Sequence, residues 1–159
     1  MKNLFISGIT GKVGKLLSSY ALESNHFKLV GGSCSPDNNF LEKDVGTLLE
    51  INETGIQISE KMSEDLGVDI IIDFSSPKSS MKILQLAKRK KIPILIGTTG
   101  FSEDDFKEIE IASTQIPVLF APNTSSGIAI LKNILNESKN LFSEDHGSVS
   151  YTHLTLPTT

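Results

Sequence analysis

The chain has 159 residues, 38% apolar and 21% charged, with a formal net charge of −4. That length suits one domain with a packed core, and the balance of apolar to charged residues excludes a disordered polyelectrolyte. Mild acidity argues against nucleic acid or an anionic membrane as a partner, so any phosphate has to be held by local backbone geometry.

Taken in chain order, Leu4–Ser7 is a short apolar strand. Val13–Glu23 has apolar residues at Val13, Leu16, Leu17, Tyr20 and Ala21, which is helical spacing. Lys28–Gly31 reads as a second strand. Residues 36–55 are polar and irregular, Gly55–Ser59 is a weak strand, and Ser63–Leu66 suggests a short helix. "VDIIIDF", Val68–Phe74, is an apolar strand ending in an acid, of the kind buried on both faces of a parallel sheet. "SSPKSSMKILQLAKRK" opens a helix with Ser76 as N-cap and Pro77 at the first helical position. "IPILIG" is a strand, and "FSEDDFKEIEIAS" a helix in which Ser102 and Asp105 have capping-box spacing. "IPVLFAP" is a further strand, and Gly127–Leu141 a last helix. Strands separated by helices of this length predict an α/β fold, a doubly wound parallel sheet of Rossmann type.

The first strand breaks into "GITGKVG". Gly8, Gly11 and Gly14 stand where a dinucleotide-binding turn would need them, after a strand and at the opening of a helix. Gly8 would allow the tight turn, Gly11 would let backbone approach a pyrophosphate, and Gly14 would let helix pack on strand. The helix N-terminus would offer free N–H donors to the phosphates. A bare strand-to-helix turn without ligand is the alternative. A P-loop is excluded, because Ile9 stands where its first glycine should be and Leu16 where its Ser or Thr should be. Three other strand ends carry small or hydroxyl residues, in "DFSSP", "GTTG" and "APNTSSG". Together they predict one polar crevice along the carboxyl edge of the sheet.

"GITGKVG", "IIIDFSSP", "IGTTGF" and "APNTSSGI", in this order, resemble dihydrodipicolinate reductase of the diaminopimelate and lysine pathway, over residues 1 to about 145. The resemblance implies an NADPH- or NADH-dependent reduction of hydroxy-tetrahydrodipicolinate, a small-molecule substrate. It implies pyrophosphate binding by Gly8, Ile9, Thr10, Gly11, Lys12 and Val13. It places Gly97, Thr98 and Thr99 near the nicotinamide and its ribose, and Ala121, Pro122, Asn123 and Thr124 on the nicotinamide side. Phe74 and Ser75 would form the cofactor edge, and Cys34 would stand where many members carry a ribose-binding acid. The family's second domain, a mixed sheet, would bind substrate and build a homotetramer.

Departures from the family pattern lie at Cys34 and Ser35, and at Ser126 and Ala129. No "HH-x-x-K" stretch, which holds the family's proton-donating His and substrate-binding Lys, occurs in these residues, so no catalytic residue is assigned. The expected layout is a dinucleotide-binding domain over residues 1–125 and a helix leading toward a truncated substrate domain over 126–148. The tail 149–159 is expected to be non-native, because "VSYTHLTLPT" resembles one reading frame of a transposase adapter. Two other readings stay open, a redox-sensing NAD(P)-binding module without catalysis and a different Rossmann dehydrogenase.

The single cysteine excludes an intrachain disulfide and suits a reducing compartment. The N-terminus has too few apolar residues for a signal peptide, and no apolar run approaches a membrane span, so a cytoplasmic location is expected. His26 reads as a solvated loop residue, and His146 and His153 fall in the tail. Cys34 reads as a small buried or loop residue, since no His is placed beside it. Lys88–Lys91 and Glu103–Asp105 complement opposite helix ends, and no metal site is expected. Lys12 either reaches a 2′-phosphate or is simply solvated.

Overall fold

Successive residues of the central strands are buried on opposite faces of one sheet. Leu4, Ile6, Ile70, Ile72 and Leu95 belong to one apolar cluster, whereas Phe5, Ile71, Ile94 and Ile96 belong to another. This is the period of two of a strand covered on both sides. The computed structural model describes residues 1–121. Its strands are β1 (Lys2–Ser7), β2 (Phe27–Ser33), β3 (Ile58–Ser59), β4 (Ile70–Asp73), β5 (Ile94–Ile96) and β6 (Val118–Phe120). Its helices are α1 (Lys12–Glu23), α2 (Val45–Leu49), α3 (Pro77–Lys90) and α4 (Glu103–Ser113).

The strands lie in the order β3-β2-β1-β4-β5-β6, all parallel. The chain winds outward from β1 to β3, then returns to β4 on the other side of β1. That reversal puts the topological switch point between β1 and β4, where open α/β sheets bind ligands beyond the carboxyl ends of their strands. Leu17 and Ala21 of α1 pack on the first cluster, while Ile83, Leu84 and Ala87 of α3 and Ile109 and Ala112 of α4 pack on the second.

The expected helix caps are present. The Ser76 hydroxyl accepts from Ser79 N–H and Pro77 opens α3. Ser102 and Asp105 exchange hydrogen bonds as a full capping box at α4. Lys88, Arg89 and Lys90 occupy the last turn of α3, where they oppose the helix dipole.

Elsewhere the structure departs from the expected elements. Ser63–Leu66 is a turn, not a helix. Leu66 N–H reaches Ser63 C=O, and the Ser63 hydroxyl takes Asp65 N–H, a local bond that competes with helix. Val45–Leu49 is helical within the stretch read as irregular; Asp44 caps it by accepting from Gly46 N–H. Five residues are too few for helical periodicity to show. β2 runs to Ser33, with a register shift opposite Leu4 and Phe5. A Cβ on Gly32 would meet Ile9 at 2.3 Å, so the glycine is needed for that side chain to lie over the strand. The helix expected over 127–141 and the tail lie outside the described residues.

Candidate functional site

The turn after β1 is built from backbone bonds. Gly8 and Ile9 N–H both donate to Ser33 C=O at 2.9 and 3.0 Å, which ties the turn to the end of β2. Gly8 adopts φ +79°, and a Cβ there would lie 2.2 Å from Phe74 C=O on β4's exit. Ile9 is fully buried. A Cβ on Gly14 would lie 2.3 Å from Gly8 C=O, so α1 sits directly on the turn. These three positions make the scaffold.

Gly11 is different. It is the N-cap of α1, with φ −70° and ψ 166°, and no side chain caps the helix. A Cβ at Gly11 would find Gly8 C=O at 3.3 Å and little else. The first N–H groups of α1 therefore point out of an uncapped helix end past a residue with no side chain, which is the arrangement that receives an anion.

Gly11, Lys12, Val13, Phe74, Ser75, Gly97, Thr98 and Thr99 line one open cleft of about 210 Å³. Three strand exits, those of β1, β4 and β5, thus meet over the switch point. All eight residues were named from the sequence. Gly97 is held flat beside the Phe74 ring, where a Cβ would lie 2.1 Å from a ring carbon. Its N–H donates to Asp73 C=O at 2.8 Å.

Beneath the cleft lies a residue to which the sequence reading gave no role. Asp73, the last residue of β4, is fully buried. Its Oδ1 accepts from the Ser75 hydroxyl at 2.6 Å, and its Oδ2 from the Thr98 hydroxyl at 2.7 Å and from the Ser80 hydroxyl. Thr98 Oγ1 in turn accepts from Ser75 N–H at 2.9 Å. The signal in the sequence was an acid closing an otherwise apolar strand, followed by hydroxyl residues.

The remaining expected positions fall as follows. Thr10 is half-buried and its hydroxyl accepts from Asn38 Nδ2 at 3.2 Å, which joins the turn to the loop after β2. Cys34 does not line the cleft. It is buried in the first core cluster, and its N–H donates to Ser59 C=O at 3.0 Å. Burial pushes its thiol above the ordinary range. Ala121 N–H donates to Ile96 C=O, continuing the ladder beside β5. Pro122, Asn123 and Thr124 lie outside the described residues. His26 is exposed before β2, as expected. Among the described residues no cluster of His, Cys, Asp or Glu is arranged to hold a metal, and no helix is long and apolar enough to cross a membrane.

Comparison with known proteins agrees with this geometry. The 4-hydroxy-tetrahydrodipicolinate reductase of Colwellia psychrerythraea is 35% identical over 130 residues, 82% of this chain and 48% of that protein. The enzyme of the same name from Buchnera aphidicola is 30% identical over 144 residues, 90% of this chain and 53% of that protein. The chain thus spans about half the length of these curated relatives. In fold it is similar to a dipicolinate-bound dihydrodipicolinate reductase from Paenisporosarcina, with TM-score 0.64 and 18% identity over 89% of this chain and 54% of that one. It is also similar to a Candida albicans aspartate semialdehyde dehydrogenase with NADP, with TM-score 0.57 and 12% identity over 86% of this chain and 47% of that one. The family profile "Dihydrodipicolinate reductase, N-terminus" matches residues 2–124, so the chain belongs to the dihydrodipicolinate reductase family through that N-terminal part.

Proposed function

We propose that the cleft binds a nicotinamide dinucleotide, and that the chain is the cofactor-binding part of a 4-hydroxy-tetrahydrodipicolinate reductase. The observation that carries the reading is the convergence of the uncapped α1 N-terminus and the Gly97–Thr99 loop on one cleft at the switch point. The residues fit the group. Gly11 leaves the space that a pyrophosphate needs, and the N–H groups of Lys12 and Val13 supply donors without a competing cap. Gly97–Thr99 faces them across the Phe74–Ser75 exit and takes the nicotinamide half.

When bound, the cofactor supplies the hydride; the protein supplies binding and orientation. The backbone of the glycine turn holds the phosphates, and Lys12 adds positive charge at the same place. Phe74 and Ser75 form the wall between the two halves. In the whole protein this arrangement serves the reduction of 4-hydroxy-tetrahydrodipicolinate, as the names of the relatives suggest. A soluble homotetramer in the cytoplasm is the form in which we place it.

Fluorescence titration of NADPH against the wild-type chain and Gly11→Val tests the reading. Valine adopts the extended backbone of Gly11 without strain, so the fold survives, while its branched side chain occupies the phosphate space. Affinity should fall at least about tenfold. Equal affinity in the two proteins would sink the assignment.

A further inference from the structure

A buried carboxylate is costly unless it is well hydrogen-bonded. Asp73 is fully buried, and no ion pair among the described residues includes it. Its partners are the three hydroxyls of Ser75, Thr98 and Ser80. Packing alone would be served as well by an apolar residue with no hydroxyls around it.

The consequence lies in the direction of the protons. The hydroxyls of Ser75, Ser80 and Thr98 each donate to a carboxyl oxygen of Asp73 and so spend their protons on it. Ser75 Oγ has a second acceptor, the Ser76 C=O, but at 3.4 Å against 2.6 Å for Asp73 Oδ1, so the proton goes to the carboxylate. Thr98 Oγ1 donates to Asp73 and also accepts from Ser75 N–H, which locks the exits of β4 and β5 to each other. Ser75 lines the cleft. With its proton committed inward, its oxygen has only lone pairs left for a ligand.

We propose that Asp73 is a positioning residue that fixes the Ser75 hydroxyl as a hydrogen-bond acceptor toward the cleft, so that the ligand group seated there is a donor, an amide N–H₂ or a hydroxyl. The proposal rests on the dinucleotide reading above. A nicotinamide carboxamide or its ribose carries such donors, and the dinucleotide reading gives the Ser75 hydroxyl to that half.

The test uses two probes on the same full chain: NADPH, and adenosine 2′,5′-bisphosphate, which lacks the nicotinamide half. Asp73→Leu, close in shape, removes both acceptor oxygens and frees the Ser75 proton. NADPH should bind about tenfold more weakly, with the enhanced emission of the bound nicotinamide reduced, while the bisphosphate binds as in wild type. In a Ser75→Ala background the Asp73→Leu effect on NADPH should vanish, since the positioned group is gone. Unchanged NADPH affinity, equal losses for both probes, or simple additivity with Ser75→Ala would each overturn the proposal. Should Asp73→Leu fail to fold, Ser75→Ala by itself stands in. It removes the acceptor at the cleft, and it should weaken NADPH by about tenfold and leave the bisphosphate untouched; no change in NADPH affinity overturns the proposal equally. Failure of the wild-type chain to bind NADPH at all refutes the dinucleotide reading instead.

Discussion

The carbonyl oxygen of Phe74 stands 2.2 Å from the point a Cβ on Gly8 would occupy. The glycine turn after β1 and the exit of β4 are therefore in contact through bare backbone, and the cleft between them depends on it. Gly8 also has φ +79°, a region that L side chains rarely adopt. Gly8→Ala should destabilise the chain by about 3 kcal/mol in urea unfolding, from strain and overlap together. Gly11→Ala, with extended backbone and one contact at 3.3 Å, should change stability by no more than about 1 kcal/mol. Similar losses at both positions would contradict the division of the turn into scaffold and ligand face.

The 2′-phosphate of NADPH should be welcome. No acid follows β2 until Asp37, and Lys12 lines the cleft. Lys15 and Lys43 flank the Phe40 ring with Nζ at 5.4 and 5.6 Å from its centre, in and beside the loop that Asn38 ties to Thr10. Ser33 is buried, which leaves the exposed Ser35 as the hydroxyl available after β2. Competitive titration should show NADPH bound at least as tightly as NADH, and Lys12→Gln should weaken NADPH more than NADH. A clear preference of the wild-type chain for NADH would reject this.

Cys34 should be a slow thiol. Burial raises its pKa, and the thiolate is the nucleophile, so less of it is available at neutral pH than for an ordinary cysteine. Reaction with a disulfide reagent at pH 7 should run at least about tenfold slower in the native chain than in guanidinium. Equal rates would show that the side chain is accessible.

Acid should weaken the segment around α2 through Asp44. The Thr54 N–H, with further bonds from Gly46 N–H and the Thr54 hydroxyl, holds its carboxyl below the ordinary aspartate range, against a smaller desolvation effect. A folded value below the unfolded one means stability that is fully present above the unfolded value and is lost as pH falls through the folded one. Asp44→Asn should lower Tm at neutral pH, and the gap to wild type should close below the carboxylate range. A gap that stays constant down to that range would show that the charge is not what matters.

Local pattern determined much of this protein. The apolar strands β1, β4 and β5 were legible because burial on both faces leaves an uninterrupted apolar run, and the caps at Ser76 and Ser102 because a short side chain satisfies an orphan N–H within the same turn. The cleft residues were legible because glycine and hydroxyl residues collect where strands end, and the four motifs carried the family. Tertiary structure decided the rest. Ile9 and Cys34 sit inside glycine-turn and strand-exit motifs, yet their side chains belong to the core, because Gly32 admits Ile9 and β3 captures the Cys34 N–H. Ser63–Leu66 lacked the length to outweigh a hydroxyl turn, and Val45–Leu49 became helix through a cap from Asp44 that is itself held by Thr54, ten residues on. Asp73 showed as an acid at a strand end, but its role depends on Thr98, twenty-five residues away, and on Ser80 in α3. Hydrogen bonds of that span exist only once the crossovers have brought β4 and β5 side by side.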